Sequence, residues 1–274
     1  MHILKHRSST FRDRNLFAAE YALAVEELLE IYVDGTLYAI TMRSPGDDLN
    51  LAAGFCYSEG IVDSWSDFLA IEHCSPAANS GRIMVRLKER RPAGMDYRAQ
   101  DNNYFSKSSC GLCGKRRLTD ICMAMCPSQR HDRIYVSDIW RLKSVYETSQ
   151  ELFRITGATH SASIFDRSRN LLAFAEDIGR HNALDKTVGR LLRQDNLEDA
   201  YLAIVSSRLS FEMVQKAGRA RLQILTGLSA PTDMAVSMAD QLNITLIGFL
   251  RDESFTIYTH PERIITSDSA LKKF

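Results

Sequence analysis

The sequence predicts an α/β protein: a C-terminal α/β sandwich on a mostly parallel sheet, preceded by a smaller α+β part built from a β-hairpin and a helix. Three observations carry this. From Ser161 onward the apolar runs SASIFD, LLAFAED, YLAIVSS, QILTGL, ITLIGFL and FTIYT read as strands, most of them separated by single helices. Strands that alternate with helices of this length argue for a largely parallel sheet with covered faces. Near the N-terminus, EELLEIYV and LYAITM are rich in strand formers and meet at Asp34-Gly35, a strong two-residue hairpin signal. The composition, 45% hydrophobic and 25% charged over 274 residues, is that of a folded globular chain with length for one or two domains.

The first twenty or so residues read as a polar lead-in to that hairpin. Pro45-Gly46-Asp47-Asp48 then opens a helix, with acids at its start and Leu49, Ala52, Ala53 and Cys56 at helical spacing. Glu59-Gly60 ends it. Short strands are expected at Ile71 to Cys74 and Ile83 to Leu87. From Gly94 to Arg117 the chain is polar and without period, which predicts a long loop, and such loops are usually functional. Ser137-Asp138 starts a helix that puts Ile139, Leu142, Val145, Tyr146, Leu152 and Phe153 on one face and stops at Gly157. Further helices are expected from about Asn182 to Arg193, Phe211 to Arg221 and Asp233 to Leu242. The natural division is residues 1–136, carrying hairpin, helix and long loop, and residues 137–274, the α/β domain.

Thirty-four basic and thirty-four acidic residues cancel, so the chain lacks the basic footprint of a nucleic-acid binder. Its longest apolar run, Ile244 to Leu250, is far too short to span a bilayer, and MHILKHRSSTFRDRN has no apolar signal core. A cytoplasmic protein with no membrane or nucleic-acid partner is expected. In a reducing compartment its six cysteines read as thiols, ligands or redox groups rather than as a disulfide scaffold.

Four of those cysteines fall between Cys110 and Cys126. In Lys107-Ser-Ser-Cys110-Gly-Leu-Cys113-Gly-Lys115-Arg116-Arg117 two thiols lie between glycines, with four cations and no acid. Nearby cations favour the thiolate, which is the nucleophile, so the segment suits a cysteine that takes up and releases sulfur. The bland alternative is a turn with two ordinary thiols. A sharper one is a tetrahedral metal site formed with Cys122 and Cys126, although ICMAMC reads as an apolar segment in which cysteine is a small hydrophobe. A thioredoxin-like redox pair fits less well, since the motif follows a polar loop.

A second constellation, Glu176 to Lys186 (EDIGRHNALDK), lies where a strand runs into a helix, as ligand contacts do in α/β sheets. Arg180 and His181 at that helix start suit a phosphate, or equally capping and packing. His160 begins a strand that could line the same crevice. Ser206 to Glu212 forms another strand-to-helix junction, an anion-binding turn or an ordinary cap at Ser210. No glycine-rich phosphate fingerprint is present. HNALD is similar to the opening of a zinc-deaminase motif, but Ala183 stands where that motif has glutamate and no cysteine follows Cys126, so its metal site is excluded.

Together these segments resemble the FdhD family of formate dehydrogenase accessory sulfurtransferases. The matching pieces are PGDDL (45–49), FCYSEGI (55–61), SSCGLCGK (108–115), TGATH (156–160), EDIGRHNALDK (176–186), SRLSFEMVQKA (207–217), SAPT (229–232), GFLR (248–251) and YTHPER (258–263). The resemblance implies a C-terminal domain like the cytidine-deaminase three-layer sandwich. It also implies a sulfur carrier that accepts persulfide sulfur from a cysteine desulfurase and passes it to molybdenum in a bis-molybdopterin guanine dinucleotide cofactor, for insertion into formate dehydrogenase apoenzyme. Carried across, Cys110 is the persulfide carrier and Cys113 the assisting thiol. Cofactor binding falls on Phe249, Leu250, Arg251, Asp252, Glu253 and Ser254, where the guanine-nucleotide part is held. A homodimer and no resident metal are implied, with Cys122 and Cys126 left to packing. Asp252 and Glu253 are a departure, because two acids do not obviously suit a phosphate-rich ligand. Two alternatives of other classes stand beside this: a cofactor-binding chaperone that does no sulfur chemistry, and a four-cysteine metal protein.

Overall fold

The computed structural model describes residues 2–74, 81–89, 127 and 131–266. Strand β3 (Glu27–Val33) and β4 (Thr36–Arg43) form the expected hairpin about Asp34-Gly35, both with positive φ. Alternation along β3 sends Leu29, Ile31 and Val33 into the core. β5 (Phe68–His73) and β6 (Arg82–Leu87) complete a four-stranded sheet in the order β4-β3-β6-β5, with β3 and β6 parallel. Helix α1 (Asp48–Ser58) begins at the acidic pair and ends at Glu59 and a left-handed Gly60, as its sequence dictates.

The first residues are not a lead-in. β1 (Ile3–Arg12) and β2 (Asn15–Ala24) form a ten-residue antiparallel hairpin closed by Asp13 and Arg14, both at positive φ. The turn is of the kind that follows strand twist, but without the glycine that signals it. Nothing on the hairpin is fully buried, so no apolar alternation against a core marks it.

The C-terminal half carries a six-stranded sheet in the order β13-β12-β11-β10-β8-β9. Its strands are β8 (His160–Phe165), β9 (Leu171–Asp177), β10 (Leu202–Val205), β11 (Ile224–Gly227), β12 (Thr245–Gly248) and β13 (Thr256–Ile257). The expectation of a mostly parallel sheet needs correcting: only β10–β11 and β11–β12 pair in parallel. The pairs β8–β9, β8–β10 and β12–β13 are antiparallel. Two of these joints are short hairpin-like connections, which cannot accommodate the crossover that parallel neighbours need. A small parallel bridge joins β7 (Ile134–Tyr135) to β14 (Ile264–Ile265).

Helices cover both faces. On one, α4 (Arg180–Arg193), α5 (Phe211–Arg219) and α6 (Asp233–Gln241) pack Leu184, Val188, Met213, Val214 and Ala239 against Ala203, Val205, Leu225 and Leu246. This same cluster takes in α1 and the inner face of β3, so one core joins both sheets. On the other, α2 (Val136–Thr148) packs Ile139, Leu142 and Tyr146 against Phe165, Leu202, Ile204 and Ile247. The single helix expected up to Gly157 is two. A break at Ser149-Gln150 precedes α3 (Glu151–Thr156), and Val145 and Phe153 of the expected apolar face are exposed. The second start is fixed from afar: the Glu176 carboxylate accepts the backbone N–H groups of Leu152 and Phe153 at 2.8 and 2.7 Å.

α1 and α4 cross almost backbone to backbone. A Cβ on Gly54 would lie 1.9 Å from the Asp185 carbonyl oxygen, and one on Gly189 would lie 1.9 Å from that of Asn50. Only glycine permits that approach. Among the described residues no helix is long and apolar enough to cross a membrane.

Candidate functional site

The carboxyl ends of β9, β10, β11 and β12 and the start of β8 share one edge of the large sheet, which sequence reasoning named as the ligand edge. Its first component is the Glu176–Lys186 segment, which the structure divides by role. Glu176 holds α3, and its Oε1 also accepts from the Thr159 hydroxyl at 3.1 Å. Asp177 is fully buried. Its carboxylate accepts from the backbone N–H of Ser44 and Gly179 and from Asn182 Nδ2, and pairs with Lys186 Nζ at 2.7 Å. Asp185, equally enclosed, receives Lys216 Nζ at 2.7 Å and the Ser58 hydroxyl at 2.8 Å. Burial pushes its carboxyl up, and the Lys216 ammonium works against that. These acids and lysines therefore bind β9, α1, α4 and α5 together.

Arg180 and His181, between those ties, behave differently. Arg180 Nε and His181 Nε2 are enclosed without a hydrogen-bond partner, and Glu212 Oε2 stands 3.9 Å from the His181 nitrogen. Burial, then Lys216, Arg180 and His160, push His181 down to about 3, so its ring is neutral across the physiological range. Neighbouring His160 Nδ1 bonds Ser206 Oγ at 2.9 Å, and that hydroxyl also accepts the Ser161 N–H. Burial, aided by Arg180, lowers His160 as well. Two neutral imidazoles beside cations make an edge suited to an anion or a polar heterocycle.

The third component is the segment after β12. Phe249 is 43% exposed and has φ of 53°, a strained conformation for so large a side chain. Leu250, the second of the expected cofactor contacts, is fully buried, its side chain in the α2-side core. Arg251 closes a turn through its N–H to the Ser254 carbonyl at 2.7 Å, and its Nη1 donates to the Leu228 and Leu250 carbonyls. Asp252 is bound by Lys143 of α2, Nζ to Oδ1 at 2.6 Å, a contact the sequence reading did not anticipate. Glu253 and Ser254 are exposed. Cys110 and Cys113, together with Cys122 and Cys126, lie outside the described residues. Of the two other cysteines, Cys56 is buried and Cys74 exposed.

Comparison with known proteins gives this edge its context. The sequence profile of the FdhD/NarQ family matches residues 24–265. A Sulfurisphaera tokodaii protein named sulfur carrier protein FdhD is 39% identical over 267 residues, covering 96% of this chain and 97% of the relative. The protein of the same name from Mycobacterium tuberculosis is 36% identical, covering 88% of this chain and 91% of its own. The fold matches a crystal structure from Desulfotalea psychrophila, assigned as a formate dehydrogenase accessory protein, with TM-score 0.78 and 20% identity, covering 97% of this chain and all of that one. This chain belongs to the FdhD/NarQ family.

Proposed function

We propose that the protein is a sulfur carrier serving formate dehydrogenase. It receives sulfane sulfur on Cys110 from a cysteine desulfurase and passes it to the molybdenum of a bis-molybdopterin guanine dinucleotide held at the carboxyl edge of the large sheet. The observation that carries this reading is the name shared by relatives 36–39% identical over most of the chain, sulfur carrier protein. The sequence supplies the chemistry that the name requires: a thiol pair flanked by four cations and no acid.

The steps balance as thiol–disulfide exchange. The Cys110 thiolate attacks the terminal sulfur of the donor persulfide. The donor S–S bond breaks, the donor leaves as a thiolate, and Cys110 carries the persulfide with no net oxidation. The Cys113 thiolate then attacks the Cys110 sulfur and expels hydrosulfide, the form a metal accepts as a ligand. A Cys110–Cys113 disulfide remains, and an external thiol reduces it for the next cycle. At the sheet edge, Arg180, His181, His160 and the 249–254 segment supply donors for the pyrophosphate and the base, with the exposed ring of Phe249 available to stack on the guanine. The apoenzyme of formate dehydrogenase is the acceptor partner, and the carrier acts as a homodimer.

Incubating the protein with desulfurase and cysteine should add one sulfur atom to Cys110, read by mass spectrometry. Cys110→Ala should abolish client maturation while the fold survives. An unmodified Cys110, or a fully active client matured by that variant, overturns the carrier role. Cys113→Ala should leave a partial defect, and an unaffected client removes Cys113 from the scheme.

A further inference from the structure

The acids of the 249–254 segment look unsuited to a phosphate-rich ligand, and the structure shows what offsets one of them. We propose that Lys143 is a phosphate-binding residue of this edge, and that Asp252 holds its ammonium until a pyrophosphate displaces the carboxylate. The proposal rests on the reading above that a guanine-dinucleotide cofactor binds here.

Lys143 lies on the inner side of α2, between Leu142 and the buried Tyr146, and its side chain is only 7% exposed. Lysine is rarely enclosed unless it is paired, and here the partners are Glu147 at 2.5 Å, one turn along the helix, and Asp252 at 2.6 Å. Glu147 and Asp252 each take one N–H of the ammonium, so the donor that Asp252 engages passes to another acceptor when that carboxylate turns away. Asp252 is 89% exposed, and Lys143 is the partner that ties its carboxylate to the fold. The Lys143 contact also holds that carboxyl below its usual range.

The segment keeps its shape by other means: Leu250 is buried, the Arg251 N–H bonds Ser254, and the Arg251 guanidinium bonds Leu228 and Leu250. Asp252 can therefore turn into water without unfolding the loop. A pyrophosphate offers more charge and more acceptors than one carboxylate, so it wins the exchange. The acid thus guards the lysine against weaker anions and yields to the intended one.

Guanosine diphosphate and guanosine serve as probes, with affinities read by titration calorimetry on the full chain. Asp252→Asn frees the ammonium and should tighten guanosine diphosphate binding several-fold. Lys143→Met keeps the apolar stem and should weaken it about tenfold, with Lys143→Arg restoring most of the loss. In the double variant the gain from Asp252→Asn should vanish. Guanosine, lacking phosphate, should bind the wild type and all variants alike. Unchanged or weaker binding by Asp252→Asn overturns the proposal; Glu147 still pairs the ammonium in that variant, so the lysine is not stranded. A gain that persists without Lys143, or an equal change for guanosine, overturns it too. Wild-type protein that binds neither probe instead defeats the underlying cofactor reading.

Discussion

Two groups of polar residues meet where β9 leads into α4 and α4 packs on α5, and they are treated oppositely. Asp177, Asp185, Lys186 and Lys216 are enclosed and matched, each acid with an ammonium within 2.7 Å. Arg180 and His181 leave enclosed nitrogens without partners. A buried ion pair is costly to break because removing one member strands the other. An unmatched polar nitrogen is one that a ligand can satisfy. The difference separates residues that tie the elements together from those that leave polar nitrogens unused at the sheet edge.

Mutations sharpen that contrast. The largest effect is expected from Asp177→Ala, which strands Lys186 and frees the N–H groups of Ser44 and Gly179. It should cost about 3–5 kcal/mol in chemical unfolding, and a loss under 1 kcal/mol would place Asp177 with the ligand-facing group. Gly189→Ala comes next. The new Cβ meets the Asn50 carbonyl, so α1 and α4 must move apart at a cost of about 3 kcal/mol. An unchanged melting temperature would show that the helices do not touch there.

His181→Gln should change neutral-pH stability by less than about 1 kcal/mol, but it should alter the pH profile. The ring is pushed down to about 3 inside the fold against 6.5 outside it, so protons favour the unfolded chain. Its contribution is complete above about pH 6.5 and declines as pH falls toward 3. The groups facing it are Arg180, His160, Lys216 and Glu212. The variant should flatten the stability slope between those pH values, and an unaltered slope would mean that the imidazole takes up its proton as readily inside the fold as outside it.

Much of this was legible in the sequence because it depends on neighbours in the chain. Asp34-Gly35 marks a hairpin, acids and glycine bracket α1, and apolar runs alternate with helices to give the large sheet. The carboxyl edge followed from those elements, and with it Arg180 and His181, whereas the 249–254 segment was named only through the family resemblance. What stayed hidden depends on distant partners. The break before α3 needs Glu176, which no local pattern announces. Leu250 belongs to the core because α2 covers it, and the pairing of Lys143 with Asp252 joins residues 109 positions apart. The β1–β2 hairpin was missed for another reason: neither a buried face nor a glycine turn advertises it.

The last two residues of β9 have a consequence for how firmly the sheet edge is held. Side chains alternate along a strand, so Glu176 reaches toward the α2–α3 layer and Asp177 toward α1 and α4. A single dipeptide rivets both layers to the sheet immediately before the chain turns into Arg180 and His181. Those two side chains are thereby registered against the whole cross-section of the protein, and a perturbation on either face reaches them through a joint two residues long.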